Sequence, residues 1–223
     1  MTASLFSTIQ RIVQEELGRV RTAELAVVQE RHPHEDGGDK DNYACTVELR
    51  NSGIVLKSVP VATPRIGQAL LPDVGSLVLV QFIGGDVNAP VIVGSLYSDE
   101  QRPPPNKEGE AILNLPLDAE EADAVRFELR SGDTKELVLK VGKALALTIK
   151  DDDPVIEINV DDGKCTLTIA RDGAVTLESK GKVGLKVSEL AVESEGKLEM
   201  KGSEVSIEAS GNMKLKGAKI DLN

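Results

Sequence analysis

Residues 181–195 read GKVGLKVSELAVESE, residues 196–210 read GKLEMKGSEVSIEAS and residues 211–223 read GNMKLKGAKIDLN, a repeat with a period of fifteen. An internal repeat sets the architecture before any single residue does. Each unit places two apolar pairs at i and i+2: Val183/Leu185 with Leu190/Val192, Leu198/Met200 with Val205/Ile207, and Met213/Leu215 with Ile220/Leu222. Strict alternation describes a short strand with one dry face and one wet face. Gly181, Gly196, Gly202, Gly211 and Gly217 permit the corners between strands. Each strand offers only two apolar side chains, and every backbone N–H and C=O in it needs a neighbour. Single-chain solenoids use repeats of about 20 residues or more, which this repeat does not reach. The pattern therefore predicts three identical chains wound about one axis into a triangular β-prism, with these twelve apolar residues as its core. A plain antiparallel meander satisfies the same alternation and is the simpler alternative.

Composition agrees with burial that is aliphatic and shared. Aromatic residues make up 2% of the 223 residues and Trp is absent, so the large rigid side chains that line binding pockets are scarce. A formal charge of −11 argues against nucleic acid and against anionic membrane surfaces, both of which need clustered Lys and Arg. No apolar stretch approaches the roughly 18 residues of a membrane span, and no secretory leader is evident. Synthesis in the cytoplasm is the expectation.

Ahead of the repeat the chain divides into three further segments. Residues 1–18 form an amphipathic helix whose stripe is Leu5, Ile9, Ile12, Val13 and Leu17 with Phe6 beside it, and Gly18 suits its stop. So short a helix must dock, either on its own domain or on a partner. Residues 19–100 carry five strand patterns, RTAELAVVQE, YACTVELR, GIVLKSVPVA, SLVLVQFIG and APVIVGSLY, which suit a small closed barrel of the OB type. Residues 101–124 form a proline-rich linker, stiff enough to act as a spacer. Residues 125–223 are β throughout; VRFELR, ELVLKV, LALTIK, VIEINV, CTLTIA and AVTLES precede the repeat as wider layers that taper into the prism.

Several residues invite a chemical reading. His32 and His34 form an HxH in the polar loop RHPHEDGGDKDN, where solvated imidazoles are the commoner outcome and a metal site the rarer one. Cys45 and Cys165 share parity with apolar neighbours and read as small buried fillers, and nothing in the sequence calls for a cofactor. Asp151–Asp153 and Asp161/Asp162 are the carboxylate clusters that a polysaccharide-degrading enzyme would need, yet they sit in short turns without an aromatic platform for sugar. An OB-fold carbohydrate-binding or single-strand-binding module is the other alternative, and the stacking residues and basic groove of the latter are missing. The expectation is a protein that is not an enzyme.

The segment LLPDVGSLVLVQFIGGDVNAPVIVGSLYSDEQRPP, residues 70–104, resembles the end of the OB domain in baseplate spike proteins of contractile phage tails and in the related VgrG proteins of type VI secretion. VATPRIGQALLP at residues 61–72 is similar too. The resemblance implies an all-β homotrimer: an N-terminal helix and OB-fold barrel, then a C-terminal intertwined triple-stranded β-helix acting as the spike of a phage tail or phage-tail-like particle. It implies force transmission rather than catalysis, contact with membrane only by mechanical puncture, and no nucleic-acid partner. No lysozyme-like insertion or large VgrG-type hub region is present, so a separate hub protein is expected at the helix stripe Leu5, Phe6, Ile9, Ile12, Val13 and Leu17. A small tip protein of the PAAR kind is expected at Ile220 and Leu222.

Overall fold

The computed structural model describes residues 4–18 and 20–221. They fall into two units, Met1–Gly181 and Lys182–Asn223.

The first unit begins with α1, Leu5–Leu17. Ser4 caps it by accepting a hydrogen bond from the Ser7 amide at 3.3 Å, and Gly18 closes it with its amide on the Gln14 carbonyl at 2.9 Å. Five strands follow: β1 Ala23–His32, β2 Ala44–Leu49, β3 Val55–Pro60, β4 Leu77–Phe82 and β5 Pro90–Leu96. They form one antiparallel sheet in the order β3-β2-β1-β4-β5. A parallel bridge between Val61 and Ile92 brings the two edges together, with the Ala62 amide donating to the Ile92 carbonyl at 2.8 Å. The sheet thus closes on itself, as the five-strand pattern predicts. Bulges in β1 between Val28 and Glu30, in β3 opposite Cys45–Val47 and at Val93 of β5 opposite Leu79/Val80 supply the local bend that closure needs.

Alternation decides what fills the barrel. Ala26, Val28, Cys45, Val47, Leu49, Val59, Leu71, Val78, Val80, Phe82 and Ile92 point inward and pack as one cluster, in which Phe82 is the single aromatic among the fully buried members. Each such aliphatic side chain contributes about 1.5–3 kcal/mol when fully buried. The turn between β4 and β5 explains the Gly-Gly-Asp motif. Gly84 and Gly85 both have positive φ, 63° and 80°, and a Cβ on Gly85 would lie 2.7 Å from Val20 Cγ1. Asp86 then fixes the turn two residues on by accepting from the Asn88 amide at 2.9 Å.

The rest of the unit is a seven-stranded antiparallel meander: β6 Glu110–Leu115, β7 Val125–Ser131, β8 Lys135–Val141, β9 Leu145–Lys150, β10 Ile156–Val160, β11 Cys165–Ile169 and β12 Val175–Ser179, each paired with its sequence neighbours. β6 lies inside the segment that the sequence reading assigns to the linker; the stretches free of strand on either side of it are 97–109 and 116–124. Its backbone pairs with β7 from Glu110↔Arg130 to Leu115↔Val125, and the residues after it are tied down by the Gly142 amide on the Ala124 carbonyl at 2.9 Å.

The second unit contains neither helix nor strand among its described residues, and no backbone–backbone hydrogen bond joins one part of 182–221 to another among them. Its repeat runs as extended chain, with local ion pairs such as Lys197 to Glu199 at 2.6 Å and Lys219 to Asp221 at 2.9 Å. The two short strands expected in each repeat are not present among the described residues, where the alternating segments have no backbone partner to pair with.

Candidate functional site

Three apolar surfaces stand out, and none of them is covered within the chain. The first is the stripe on α1. Leu5 and Phe6 are 78% and 75% exposed, and Ile9, Ile12 and Val13 are each about half exposed. Of the two docking options open in the sequence, packing on its own domain is not the one found. The side chain of Leu17 lies outside the described residues.

The second surface is one face of the meander. Register places Leu113, Phe127, Leu139, Leu147, Ile158, Leu167 and Leu177 in one row across the seven strands. A second row runs Ala111, Leu129, Leu137, Ile149, Ile156, Ile169 and Val175, and a third begins with Leu115, Val125, Val141, Leu145, Val160 and Cys165. Leu113, Leu115, Val125, Leu129, Val141, Ile149, Val160, Val175 and Leu177 remain well exposed on this face. The sequence reading found the six strands β7–β12 but did not assemble this face; the signal was present in the parity of each strand.

The opposite face is polar and carries an ion-pair network. Glu128 is 3% exposed and sits opposite Ile112 on β6 and Val138 on β8. Its carboxylate accepts from Arg126 and from Arg130, and Arg130 also donates to Glu136 at 2.6 Å. Burial works to raise the Glu128 pKa. The hydrogen bond and charge of Arg126, joined by those of Arg130, outweigh it, and the pKa lies below the ordinary glutamate value.

The third surface is the repeat. Val183, Leu185, Leu190, Val192, Leu198, Met200, Val205, Ile207, Met213, Leu215 and Ile220 are all exposed, the least of them at 49%. Leu222, the remaining member of both the predicted core and the predicted tip-docking pair, lies outside the described residues.

The residues with possible chemistry take structural places. His32 belongs to β1, not to the loop: it pairs with Ala44, and its Nε2 lies 2.8 Å from Thr46 Oγ1. Polar residues continue that strand because β2 supplies backbone partners. His34 Nδ1 lies 2.7 Å from Asp39, whose carboxylate also accepts the Glu35 amide at 2.6 Å and the Asp36 amide at 3.1 Å. The hydrogen bond and charge of Asp39 raise the His34 pKa. No group of three or more His, Cys, Asp or Glu among the described residues is arranged to hold a metal ion. Cys45 is fully buried in the barrel, and desolvation pushes its thiol pKa up. Cys165 is only partly buried, at the end of β11 on the apolar face.

The acidic turns hold corners together. Asp151 accepts the Lys135 amide at 2.8 Å and Asp153 the Arg171 amide at 2.9 Å, while Asp161 pairs with Lys164. No helix among the described residues is long and apolar enough to cross a membrane.

The described residues thus comprise a small closed barrel and a β meander with an apolar face open. No curated protein matches the chain. Residues 44–97, which span β2 to β5 of the barrel, match the family described as the type VI secretion system/phage-baseplate injector OB domain. Over that barrel segment the chain is therefore similar to the OB domain of phage-baseplate and type VI secretion injectors.

Proposed function

We propose that the protein is the central spike of a contractile injection particle, a homotrimer that passes the force of contraction to the target envelope. The observation that carries this reading is the combination of a match to the injector OB domain at residues 44–97 with an alternating repeat whose paired apolar residues, among those described, are uncovered in the single chain. An OB barrel provides a rigid base. A repeat that gains backbone partners only from other copies cannot lose one strand without breaking its neighbours, so a shaft built in this way resists fraying under axial load. The work is mechanical, with no bond in the target cut, and contact with membrane is by puncture.

The finer parts of the reading rest on the exposed stripes. Leu5, Phe6, Ile9, Ile12 and Val13 on α1 form the hub-docking surface, supported by their exposure. Ile220, also exposed, is the described member of the surface for a PAAR-like tip protein. In the assembled particle the protein is a baseplate component, whether of a phage tail or of a phage-tail-like machine.

Size-exclusion chromatography with light scattering tests the reading on the purified chain. The expected mass is three times the 23.8 kDa of one copy. A folded monomer at micromolar concentration would sink it.

A further inference from the structure

The connection between β3 and β4 presents a side chain that the barrel does not use. Ile66 is 91% exposed, more than any other large apolar side chain among the described residues. A lone exposed aliphatic needs no explanation by itself, but this one stands on a turn that is held in place. Ile66 and Gly67 are the corner residues of that turn, which the Gln68 amide closes on the Arg65 carbonyl at 3.1 Å. Gly67 has a φ of 98°, the left-handed position that such a turn assigns to its third residue. The Thr63 hydroxyl donates to the Arg65 carbonyl at 3.0 Å and lies 3.3 Å from the Gln68 carbonyl, so one side chain ties both ends of the turn.

The base of the loop is equally fixed. The Leu70 amide donates to the Tyr43 hydroxyl at 2.7 Å, and Leu71 is buried in the barrel core. Tyr43 holds its place at a φ of 58°, a strained conformation for a bulky residue. Strain of this kind persists only where the surroundings over-determine it, and here it comes with a rigid footing for the turn. A side chain fixed in advance loses little freedom when a partner covers it, as a binding anchor requires.

The neighbouring charge says what kind of partner fits. Arg65 is exposed and has no ion pair among the described residues, and Asp73, the next acid along the chain, is held by Arg31 at 2.9 Å. In a chain of net charge −11, residues 62–72 carry this one charge alone. An anionic lipid surface calls for clusters of Lys and Arg, which a single arginine does not provide. A second copy of the loop in a two-fold contact would set Arg65 against Arg65. A carboxylate beside an apolar pocket suits both side chains.

We infer that the loop of residues 63–71 is a docking element for another protein, with Ile66 seated in an apolar pocket of that partner and Arg65 paired with an Asp or Glu at the pocket's rim. The inference rests on the barrel alone and does not need the spike reading.

Photocrosslinking of the full chain in the cell that makes it tests this. Gln68→benzoylphenylalanine places the probe on an exposed position beside the turn and leaves Ile66 and Arg65 intact. Irradiation should join the chain to a different protein, and mass spectrometry should place the adduct on a segment with apolar residues and an Asp or Glu. Adding Ile66→Asp or Arg65→Glu should each lower the adduct by at least about tenfold. Changing the mapped carboxylate to Lys should restore the adduct of the Arg65→Glu chain. Both positions are exposed, so thermal unfolding of the purified variants should match wild type, which separates lost docking from lost folding. If Ile66→Asp unfolds the chain, Arg65→Glu and its restoration decide. No adduct, an adduct only with lipid or with another copy, or an adduct that a folded variant leaves unchanged overturns the inference. So does a mapped segment without a carboxylate. The same adduct at equal yield from Lys40→benzoylphenylalanine also overturns it, since the contact would then follow exposure and not this turn.

Discussion

Glu128 shows how a single residue couples electrostatics to the sheet. Its carboxylate is buried on the polar face and held ionised by Arg126 and Arg130. Replacing it with Gln leaves two guanidinium groups without their shared partner, though both are partly solvated. Glu128→Gln should therefore cost about 1–3 kcal/mol rather than the full penalty of a dry broken pair, measured by urea unfolding at pH 7. The folded pKa is depressed, so this contribution is complete above the unfolded glutamate value of about 4.3 and is lost as pH falls through the folded value below it. Wild-type stability should drop more steeply than that of Glu128→Gln in that acid window. Gly85 makes a second case. Its φ of 80° and the 2.7 Å approach to Val20 leave no room for a methyl group, so Gly85→Ala should lower the barrel's stability by about 1–2 kcal/mol in thermal unfolding. The Gly-Gly-Asp motif was visible in the sequence, but the near contact that requires Gly85 depends on where residue 20 passes. Glu128 gave no such sign, since a charged residue on an alternating strand reads as solvent-facing until its two Arg neighbours and Ile112 are placed beside it.

At the scale of elements, α1 behaves as its sequence suggests: a capped, amphipathic helix of 13 residues whose stripe is left open. Ile9→Asp changes a side chain that touches little in the free chain, so it should shift unfolding by no more than about 0.5 kcal/mol. If α1 docks the proposed hub protein, the same change should weaken that binding by at least about tenfold, or about 1.4 kcal/mol, in a titration with purified hub. The strands divide into those that were legible and one that was not. β1–β5 and β7–β12 each show an apolar run between turn residues, alternating in strands such as β9–β12 and nearly continuous in β4 and β5. β6 was hidden by its setting, with prolines crowding EAILNL from both sides so that the stretch reads as linker. Its pairing with β7 makes it a strand. The polar end of β1 is the same effect in reverse, with Glu30, Arg31 and His32 extended because Thr46, Cys45 and Ala44 stand opposite.

For the whole molecule, the decisive contrast is between the barrel, which fills its own core, and the β region after it, which does not. Hydrogen exchange should display this directly. Amides of 182–221 have no backbone partner in one chain and should exchange within seconds in any monomeric fraction, while in the assembled protein they should be protected for hours, as the barrel strands are. Fast exchange of this segment in a trimer would show that the copies are held together elsewhere.

The alternation along a strand is a local property, fixed by a backbone that turns successive side chains to opposite sides, and so the sequence alone determined most of β1–β5 and β7–β12, the apolar side of the meander strands, and where Gly and Asp make the corners. Which strand lies beside which is a non-local matter of hydrogen bonding. Only the tertiary structure decided that β3 and β5 meet at Val61 and Ile92 to close the barrel, that β6–β12 run as a meander, and that Glu128 is buried between two arginines. For the repeat, the sequence marks the alternating apolar side chains, but the described residues offer their backbone no partner within the chain, and so the local pattern alone does not make them strands.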